Sequence, residues 1–259
     1  MERSWADRAV ALIIGLALAG SIIAGTYLVS TTIRYVKTFN NSLLTVTGYT
    51  QQQITSDEVK WDGSFTRTAP VDALKTGYTQ MEHDLQTIKS YLLQHGITAS
   101  EITFSPVTMM PVYSMCQAGA FGKVPVSGCV NTITSYRLTQ RIEVNSSKVQ
   151  QVTALAQNIT PLISEGVLFS NEGLQYYYTK LNDLRVKLLT AATKDAESRA
   201  QMIAGSAHER VGRLLSENTG VFQITPLNST QVSSVGTYNT STIEKQITAV
   251  VRATFTLQP

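Results

Sequence analysis

The sequence predicts an α+β fold, in which a mainly antiparallel sheet packs with about three helices after one N-terminal transmembrane helix. Three features of the 259 residues support this prediction. An uncharged apolar run lies near the N-terminus, several later segments alternate apolar with polar residues, and others repeat apolar residues three and four positions apart. These spacings are typical of a membrane span, of half-buried strands and of amphipathic helices, respectively.

The apolar run at residues 9–29 reads AVALIIGLALAGSIIAGTYLV and contains no charged residue. It is long enough to cross a bilayer at about 1.5 Å per residue. A cleaved signal peptide could use Ala17-Leu18-Ala19 as its processing site, but cleavage there would leave an unusually apolar N-terminus. We therefore favour an uncleaved signal anchor.

An uncleaved anchor divides the chain into four parts. A cytoplasmic tail (1–8) precedes the transmembrane segment (9–29), and a polar tether (30–41) leads to an exported domain (42–259). Lys and Arg are nearly balanced across the two flanks of the segment, so the positive-inside rule does not decide its orientation. The short tail and the long C-terminal domain favour a cytoplasmic N-terminus.

Small residues recur along the apolar run. Such residues let membrane helices approach closely, although glycine and alanine are also frequent in membrane helices that do not pair. The positions that would form a packing face are Gly15, Ala17, Ala19, Ser21 and Gly25.

The two cysteines, Cys116 and Cys129, bracket a stretch rich in glycine, proline and serine. In an exported domain, such a pair predicts a disulfide that closes the loop, with free structural thiols as the alternative. The three histidines are scattered and none lies near this loop, so we predict no zinc site.

The exported part alternates predicted strands and helices. The segment 68–95 carries a heptad-like seam that could pair with a partner helix, but packing on the protein's own sheet is favoured. Pro161 is expected to kink or shorten the helix that begins at Ser147. The predicted strands cover 43–50, 59–67, 102–113, 130–144, 167–179, 221–227 and 243–257, and the longest predicted helix covers 180–217.

Four of these segments, in order, resemble the SIMPL-domain family of bacterial envelope proteins. The first, TVTGYTQQQITSDEVKWDGSF, carries Ser56, Asp57 and Trp61, and the second, at 135–140, reads SYRLTQ. The third, at 175–204, contains an aromatic strand, T-K-L and an alanine-rich helix with D-A-x-x-R-A, and the closing strand reads AVVRATFTL. We call the segment that carries Ser56, Asp57 and Trp61 the first signature and the segment 175–204 the second signature. Within the third, the signature residues are Tyr177, Lys180, Asp195 and Arg199.

The resemblance implies an α+β fold, export, and homo-oligomers shaped as rings or cages. It implies no catalytic mechanism. This sequence departs from the family pattern in two loops, 114–130 and 228–242, which are expanded. Asp57 and Trp61 could contact a ligand or a partner, but a turn cap and a core side chain are the favoured interpretations.

The sequence contains none of the common hydrolase, nucleotide-binding or dinucleotide-binding motifs. His208-Glu209 begins like a zinc-protease helix, but Gly212 occupies the position of the second histidine. Net charge is only +3 and no basic stripe occurs, which argues against nucleic-acid binding. We predict no cofactor, no metal and no enzymatic activity, with an enzyme of unfamiliar type as a minor alternative.

The leading functional prediction is a membrane-anchored, non-enzymatic envelope protein that self-assembles into a ring or cage. Its predicted location is the bacterial inner membrane, with the C-terminal domain in the periplasm. Its predicted partners are itself, the lipid bilayer and another envelope protein. The alternative is a binding module that recognises a small ligand, peptidoglycan or a partner protein through its expanded loops.

Overall fold

The computed structural model describes residues 5–41, 43–114 and 132–258. The predicted α+β class is confirmed, with almost entirely antiparallel strand pairing. The helices are α1 (Trp5–Asn41), α2 (Leu74–Gln94), α3 (Val149–Gln157), α4 (Thr160–Ser164) and α5 (Leu181–Ser206). The strands are β1 (Leu43–Thr55), β2 (Glu58–Pro70), β3 (Ile102–Phe104), β4 (Thr108–Tyr113), β5 (Ile133–Ser146), β6 (Phe169–Tyr177), β7 (Arg210–Thr219), β8 (Gln223–Pro226), β9 (Thr237–Tyr238) and β10 (Glu244–Gln258).

Helix α1 continues without interruption from Trp5 to Asn41. Within it, the 21 residues Ile13–Ile33 are long and apolar enough to cross a membrane, and none of their window is buried within the protein. This segment could therefore serve as a membrane anchor or as a signal sequence. The residues 30–41, predicted as a tether, are helical, and a single residue separates α1 from β1.

The chain divides into two compact units. The first unit combines Met1–Thr50, Val186–Val221 and Ala249–Pro259, and the second unit combines Gln51–Arg185 and Phe222–Thr248. Strands β1 and β10 therefore contribute residues to both units.

The core of the second unit lies on one face of a sheet with the strand order β3-β5-β2-β6, to which β4 adds by pairing with β5. Strands β2 and β5 pair over twelve positions, from Val59↔Ser146 to Pro70↔Ser135. Alternate residues along these strands are apolar, so one face of the sheet is apolar and is covered by α2 and α3. The core residues include Val59, Trp61, Phe65, Leu138 and Val144 of the strands and Met81, Ile88, Leu92 and Val152 of the helices.

The first unit has a smaller core built around alanines. The C-terminal part of β10 pairs with β7, and β1 lies beside β10. Helix α5 contributes Ala196 and Ala200, which are fully buried against Val46, Ala253 and Phe255. Because alanine has only a methyl side chain, the helix axis can approach the strands closely.

The predicted helix 180–217 is wrong in its last part. Helix α5 ends at Ser206, and residues 210–219 form β7, which pairs with β10. His208 adopts a positive φ of 61°, a conformation that stops a right-handed helix. The segment after it is apolar at positions that suit either period, and pairing with β10 selects the strand.

Two other boundaries between elements lie at proline residues. Strand β2 extends through Pro70, so that α2 begins only at Leu74, after a single 3₁₀ turn. The predicted effect of Pro161 is present, because the helix after Ser147 is divided into α3 and the short α4, with Pro161 in the first turn of α4.

Candidate functional site

The side chain of Asp57 binds the chain itself. Its Oδ1 accepts a hydrogen bond from the Thr179 backbone N–H at 2.7 Å, and its Oδ2 accepts one from the Thr179 hydroxyl at 2.9 Å. Thr179 lies just before α5, within the second family signature. The two signatures are thus joined directly, because the hydrogen bonds of this carboxylate connect the turn before β2 to the residues just before α5.

Trp61 packs into the core of the second unit. It is 2% exposed, and its ring centroid lies 5.8 Å from that of Phe169. Its indole Nε1–H donates a hydrogen bond to Asn171 Oδ1 at 3.0 Å. A buried indole with its single donor satisfied is a structural element of the sheet.

Ser56, the remaining residue of the first signature, holds a buried lysine. Lys245 is fully buried, and its ammonium donates to Ser56 Oγ at 2.6 Å, to the Tyr176 carbonyl at 3.1 Å and to the Thr242 carbonyl. The ammonium also lies 5.8 Å from the centre of the Tyr176 ring. Three oxygen acceptors satisfy all three N–H groups of the lysine, but none of them carries a counter-charge.

Because of this environment, the free energy of unfolding should vary with pH in the alkaline range. Burial lowers the pKa of Lys245 to about 8, from an ordinary value of 10.5. Between these two values the unfolded chain binds more protons than the folded chain, so folding becomes more favourable as pH rises. Relative to a Lys245→Met variant, the wild-type free energy of unfolding should therefore rise by roughly 2 kcal/mol between pH 7 and pH 10.

Urea unfolding of both proteins across this pH range, in a mild detergent, measures the difference directly. The variant is the matched control, since every other titrating group is common to both proteins. If the free energies of unfolding of the wild type and of Lys245→Met change in parallel with pH, the ammonium of Lys245 is not buried in the folded protein.

The second signature places a carboxylate at the edge of a strand. Asp195 Oδ2 accepts hydrogen bonds from the Tyr49 backbone N–H at 2.8 Å and from Arg199 Nε at 2.7 Å. The Tyr49 N–H, and to a smaller degree Arg199, hold the pKa of Asp195 below its ordinary value. The expected ion pair four residues apart on α5 is present. The carboxylate of Asp195 also accepts the hydrogen bond from Tyr49 on β1, and no local pattern in the sequence could predict that contact.

The face of the sheet opposite the core is polar. We call it the outer face, and it carries the alternate side chains of β2 together with their neighbours on β5 and β6. At its centre, Lys60 pairs with Glu143 at 2.6 Å and with Asp62 at 3.6 Å. The hydrogen bond with Glu143 raises the pKa of Lys60, and the same bond lowers that of Glu143. Asn145 donates a further hydrogen bond to Glu143 at 2.6 Å.

Two hollows open beside this ion pair. The central hollow, of about 410 Å³, is lined by Lys60, Asp62, Arg141, Glu143 and Glu172, among others. A bulge in β6 opposite Asp62 inserts Glu172 at this edge. The terminal hollow, of about 490 Å³, lies at the strand ends. It is lined by Asp57, Glu58, Glu101, Asn145, Ser146, Ser147 and Thr179.

The carboxylate of Glu101 is held by several hydrogen bonds beside the terminal hollow. Burial alone would raise its pKa, but hydrogen bonds from the Ser146 hydroxyl and from Thr98 lower it to about 2. The Ser146 bond is 2.6 Å long, and Lys148 Nζ lies 3.1 Å from the same carboxylate. Glu101 is therefore ionised and fixed in position at neutral pH.

Two tyrosines form a pair at the β6 side of the outer face. The rings of Tyr177 and Tyr238 are 6.3 Å apart and tilted by 30°. Tyr238 is 40% exposed, and its hydroxyl accepts a hydrogen bond from the Tyr178 N–H at 3.1 Å. Tyr176, by contrast, is buried, so the alternation along β6 leaves the signature residue Tyr177 on the outer face.

Three groups of predicted site residues remain, namely Lys180, the small residues of the apolar run and the two cysteines. Lys180 is exposed just before α5. The small residues of the apolar run lie on α1, where they are exposed, and Ser21 Oγ donates a hydrogen bond to the Leu18 carbonyl. Cys116 and Cys129 lie outside the described residues. Within the described part of the chain, no group of three histidine, cysteine or acidic residues could hold a metal ion.

Lys245 and Tyr238 are functional candidates that the sequence did not predict. The sequence did contain a signal for Lys245, because it occupies the same strand face as Ile247, Ala249 and Val251, all of which are buried. A lysine in register with core residues of a strand predicts a buried ammonium. Tyr238 lies in the expanded loop, and its pairing with Tyr177 could not be predicted from spacing.

The family of the chain follows from a comparison with protein-family models. The model of SIMPL, described as a protein of unknown function (DUF541), matches residues 44–255. The chain belongs to the SIMPL family. A search of curated proteins found no match. The matched range includes both signatures. The SIMPL domain therefore contains the hydrogen bonds between Asp57 and Thr179 and the hydrogen bond between Asp195 and Tyr49.

Proposed function

We propose that this SIMPL protein is a non-enzymatic, membrane-anchored envelope protein that assembles with itself in the bacterial periplasm. In this proposal α1 is retained in the inner membrane with its N-terminus in the cytoplasm. The exported residues then form the subunit of a ring or cage.

The roles of the signature residues support a structural function. The carboxylates of Asp57 and Asp195 each bind a backbone N–H elsewhere in the chain, and the Trp61 indole N–H binds Asn171. These bonds connect distant segments of the fold. A motif whose polar groups join the chain to itself favours a scaffold over a reaction centre.

The observation that carries self-assembly is a set of exposed apolar residues on the edge strand β4 and at the start of β5, which we call the patch. Its members are far more exposed than core residues of the same types, and Met110 reaches 66% exposure. Uncharged residues occupy all of β4. Successive residues of a strand project to opposite faces, so Met109 and Met110 expose apolar surface on the two sides of β4. Among the described residues β4 pairs only with β5, and an edge strand with exposed apolar side chains favours pairing with another chain. The patch consists of Met109, Met110, Tyr113 and Ile133.

The test replaces an exposed methionine inside the patch and one outside it. Met110→Asp would place a carboxylate that must lose its water in the contact, so we expect it to dissociate the assembly to smaller species. Met202→Asp is the matched control, because Met202 on α5 has 65% exposure and lies outside the patch. Native mass spectrometry of the full-length proteins in mild detergent distinguishes the species.

A wild-type protein that is monomeric under these conditions contradicts self-assembly. An assembly that survives Met110→Asp contradicts the patch as its contact.

A further inference from the structure

The outer face of the sheet has the geometry of a continuous polar groove. Glu58 pairs in register with Tyr177, and Lys60 pairs with both Asn145 and Gln175. Directly paired residues in antiparallel strands project from the same face, so these side chains line one surface. The terminal and central hollows adjoin along it, because Glu58 lines the first and Lys60, two residues further along the same strand, lines the second.

The hydrogen-bonding groups of this groove are mixed. Carboxylates accept only, Lys60 and Arg141 donate only, and Asn145 and Ser147 can do both. Among the lining residues of the two hollows, Ile142 is the only one with a large apolar side chain. A groove of this kind suits a ligand that presents many hydroxyl and amide groups along its length.

The tyrosine pair adds an apolar platform to the β6 side of the groove. Tyr177 lies in register beside Glu58, and Tyr238 extends the aromatic surface with 40% of its area exposed. The contact of the Tyr238 hydroxyl with the Tyr178 N–H holds that ring in place. A fixed aromatic ring with an exposed face offers C–H groups of a ligand a large contact area at little entropic cost.

The charge of the groove limits the ligand class. The two hollows together present six carboxylates, and the cations among them are Lys60 and Arg141, with Lys148 beside Glu101 as a third. The carboxylates are those of Asp57, Glu58, Asp62, Glu101, Glu143 and Glu172. This excess of negative charge repels polyanions such as nucleic acids or polyphosphates. It is compatible with neutral chains and attractive to chains that carry amino groups.

We propose that the outer face binds a linear saccharide chain, neutral or amino-bearing, with sugar rings stacked on Tyr177 and Tyr238 and hydroxyl groups bound in the two hollows. An extended peptide is less suited, because the described residues that line the two hollows offer only one large apolar side chain to receive those of a peptide. This activity goes beyond self-assembly, and neither the two hollows nor the tyrosine pair includes Met109, Met110, Tyr113 or Ile133.

The test uses the full-length protein in lipid nanodiscs, which avoids detergents with sugar headgroups. A hexamer of N-acetylglucosamine and its deacetylated, cationic counterpart are titrated by calorimetry. We expect dissociation constants of about 0.1–1 mM for the neutral hexamer and tighter binding of the cationic one at low salt. A hexapeptide of alternating alanine and glycine is the comparison ligand.

Two variants locate the site. Tyr238→Ala removes part of the platform, and Glu58→Gln removes one charge without changing shape. We expect Tyr238→Ala to weaken binding of both hexamers at least about tenfold, and Glu58→Gln to weaken mainly the cationic one. Tyr78→Ala on α2 is the control, since Tyr78 is similarly exposed, at 41%, and lies outside the groove.

Binding of neither hexamer would overturn the proposal, as would binding that Tyr238→Ala leaves unchanged. Binding of the hexapeptide alone would assign the face to a peptide instead. The mass of each variant in the native state is measured in parallel. Loss of sugar binding with an unchanged mass separates this proposal from that of self-assembly.

Discussion

Replacing Gly48 by alanine is expected to lower the free energy of unfolding by about 3 kcal/mol, which is near the upper end for a single added methyl group. Gly48 is buried in β1, facing α5. A Cβ atom there would lie 2.6 Å from Ala196 N and 2.7 Å from Ala196 Cβ, and closer still to the Ala192 carbonyl oxygen. Two of these atoms belong to helix backbone, so no side-chain rotation can relieve the overlap.

Thermal unfolding of the full-length protein in mild detergent, followed by circular dichroism, measures this effect. Gly205→Ala is the matched control within the same unit. Gly205 lies near the end of α5, and an added Cβ would meet no atom within 4 Å. Alanine is the better helix former, so this control should be unchanged or more stable by up to about 1 kcal/mol. If both variants unfold at the same temperature as the wild type, α5 does not pack on β1 as closely as these distances require.

The contrast between these glycines shows what the sequence could predict of the fold. The alternation in TVTGYT and the spacing of Ala192, Ala196 and Ala200 predict a strand and a closely packed helix. That Gly48 is the point of closest approach depends on how β1 and α5 meet, and no spacing within either segment specifies it. The same limit explains the error at β7, where the apolar pattern fits both periods and pairing with β10 decides.

The candidate sites were predictable only in part for the same reason. The signature residues Asp57, Trp61 and Asp195 could be singled out from the sequence, but their partners could not. Asp57 binds a residue 122 positions away, and Lys245 binds Ser56 across 189 positions. Such contacts arise from the order of strands in a sheet, which local periodicity does not determine. The alternation of polar and apolar residues in β2 predicts a polar face. The hollows on that face form only where β5 and β6 pair with β2, so the sequence of β2 alone does not predict them.

Breaking the ion pair between Arg67 and Asp84 should destabilise the second unit strongly. Arg67 on β2 binds Asp84 on α2 through two hydrogen bonds, of 2.6 and 2.7 Å, and Asp84 is 1% exposed. The bond to Asp84 raises the pKa of Arg67 above its already high ordinary value, so the guanidinium stays charged at all working pH values. Removing either partner leaves a charge in a largely dry environment, which typically costs about 3–5 kcal/mol.

The two single variants should differ in a definite order. Arg67→Met leaves the almost fully buried carboxylate of Asp84 without its cation, so it should be the more damaging change. Asp84→Leu leaves a guanidinium whose side chain is 26% exposed and still donates to the Gly166 carbonyl at 2.8 Å, which lessens the cost. Urea unfolding of the full-length protein in mild detergent gives the order.

The double variant Arg67→Met with Asp84→Leu separates the value of the ion pair from the cost of an orphaned charge. Replacing a buried pair by apolar side chains of similar size is often neutral, so the double variant should recover to within about 1 kcal/mol of the wild type. Recovery would mean that the pair fixes the position of α2 on the sheet without adding much net stability. A double variant as unstable as the single variants would instead show that the two hydrogen bonds themselves hold α2 against β2.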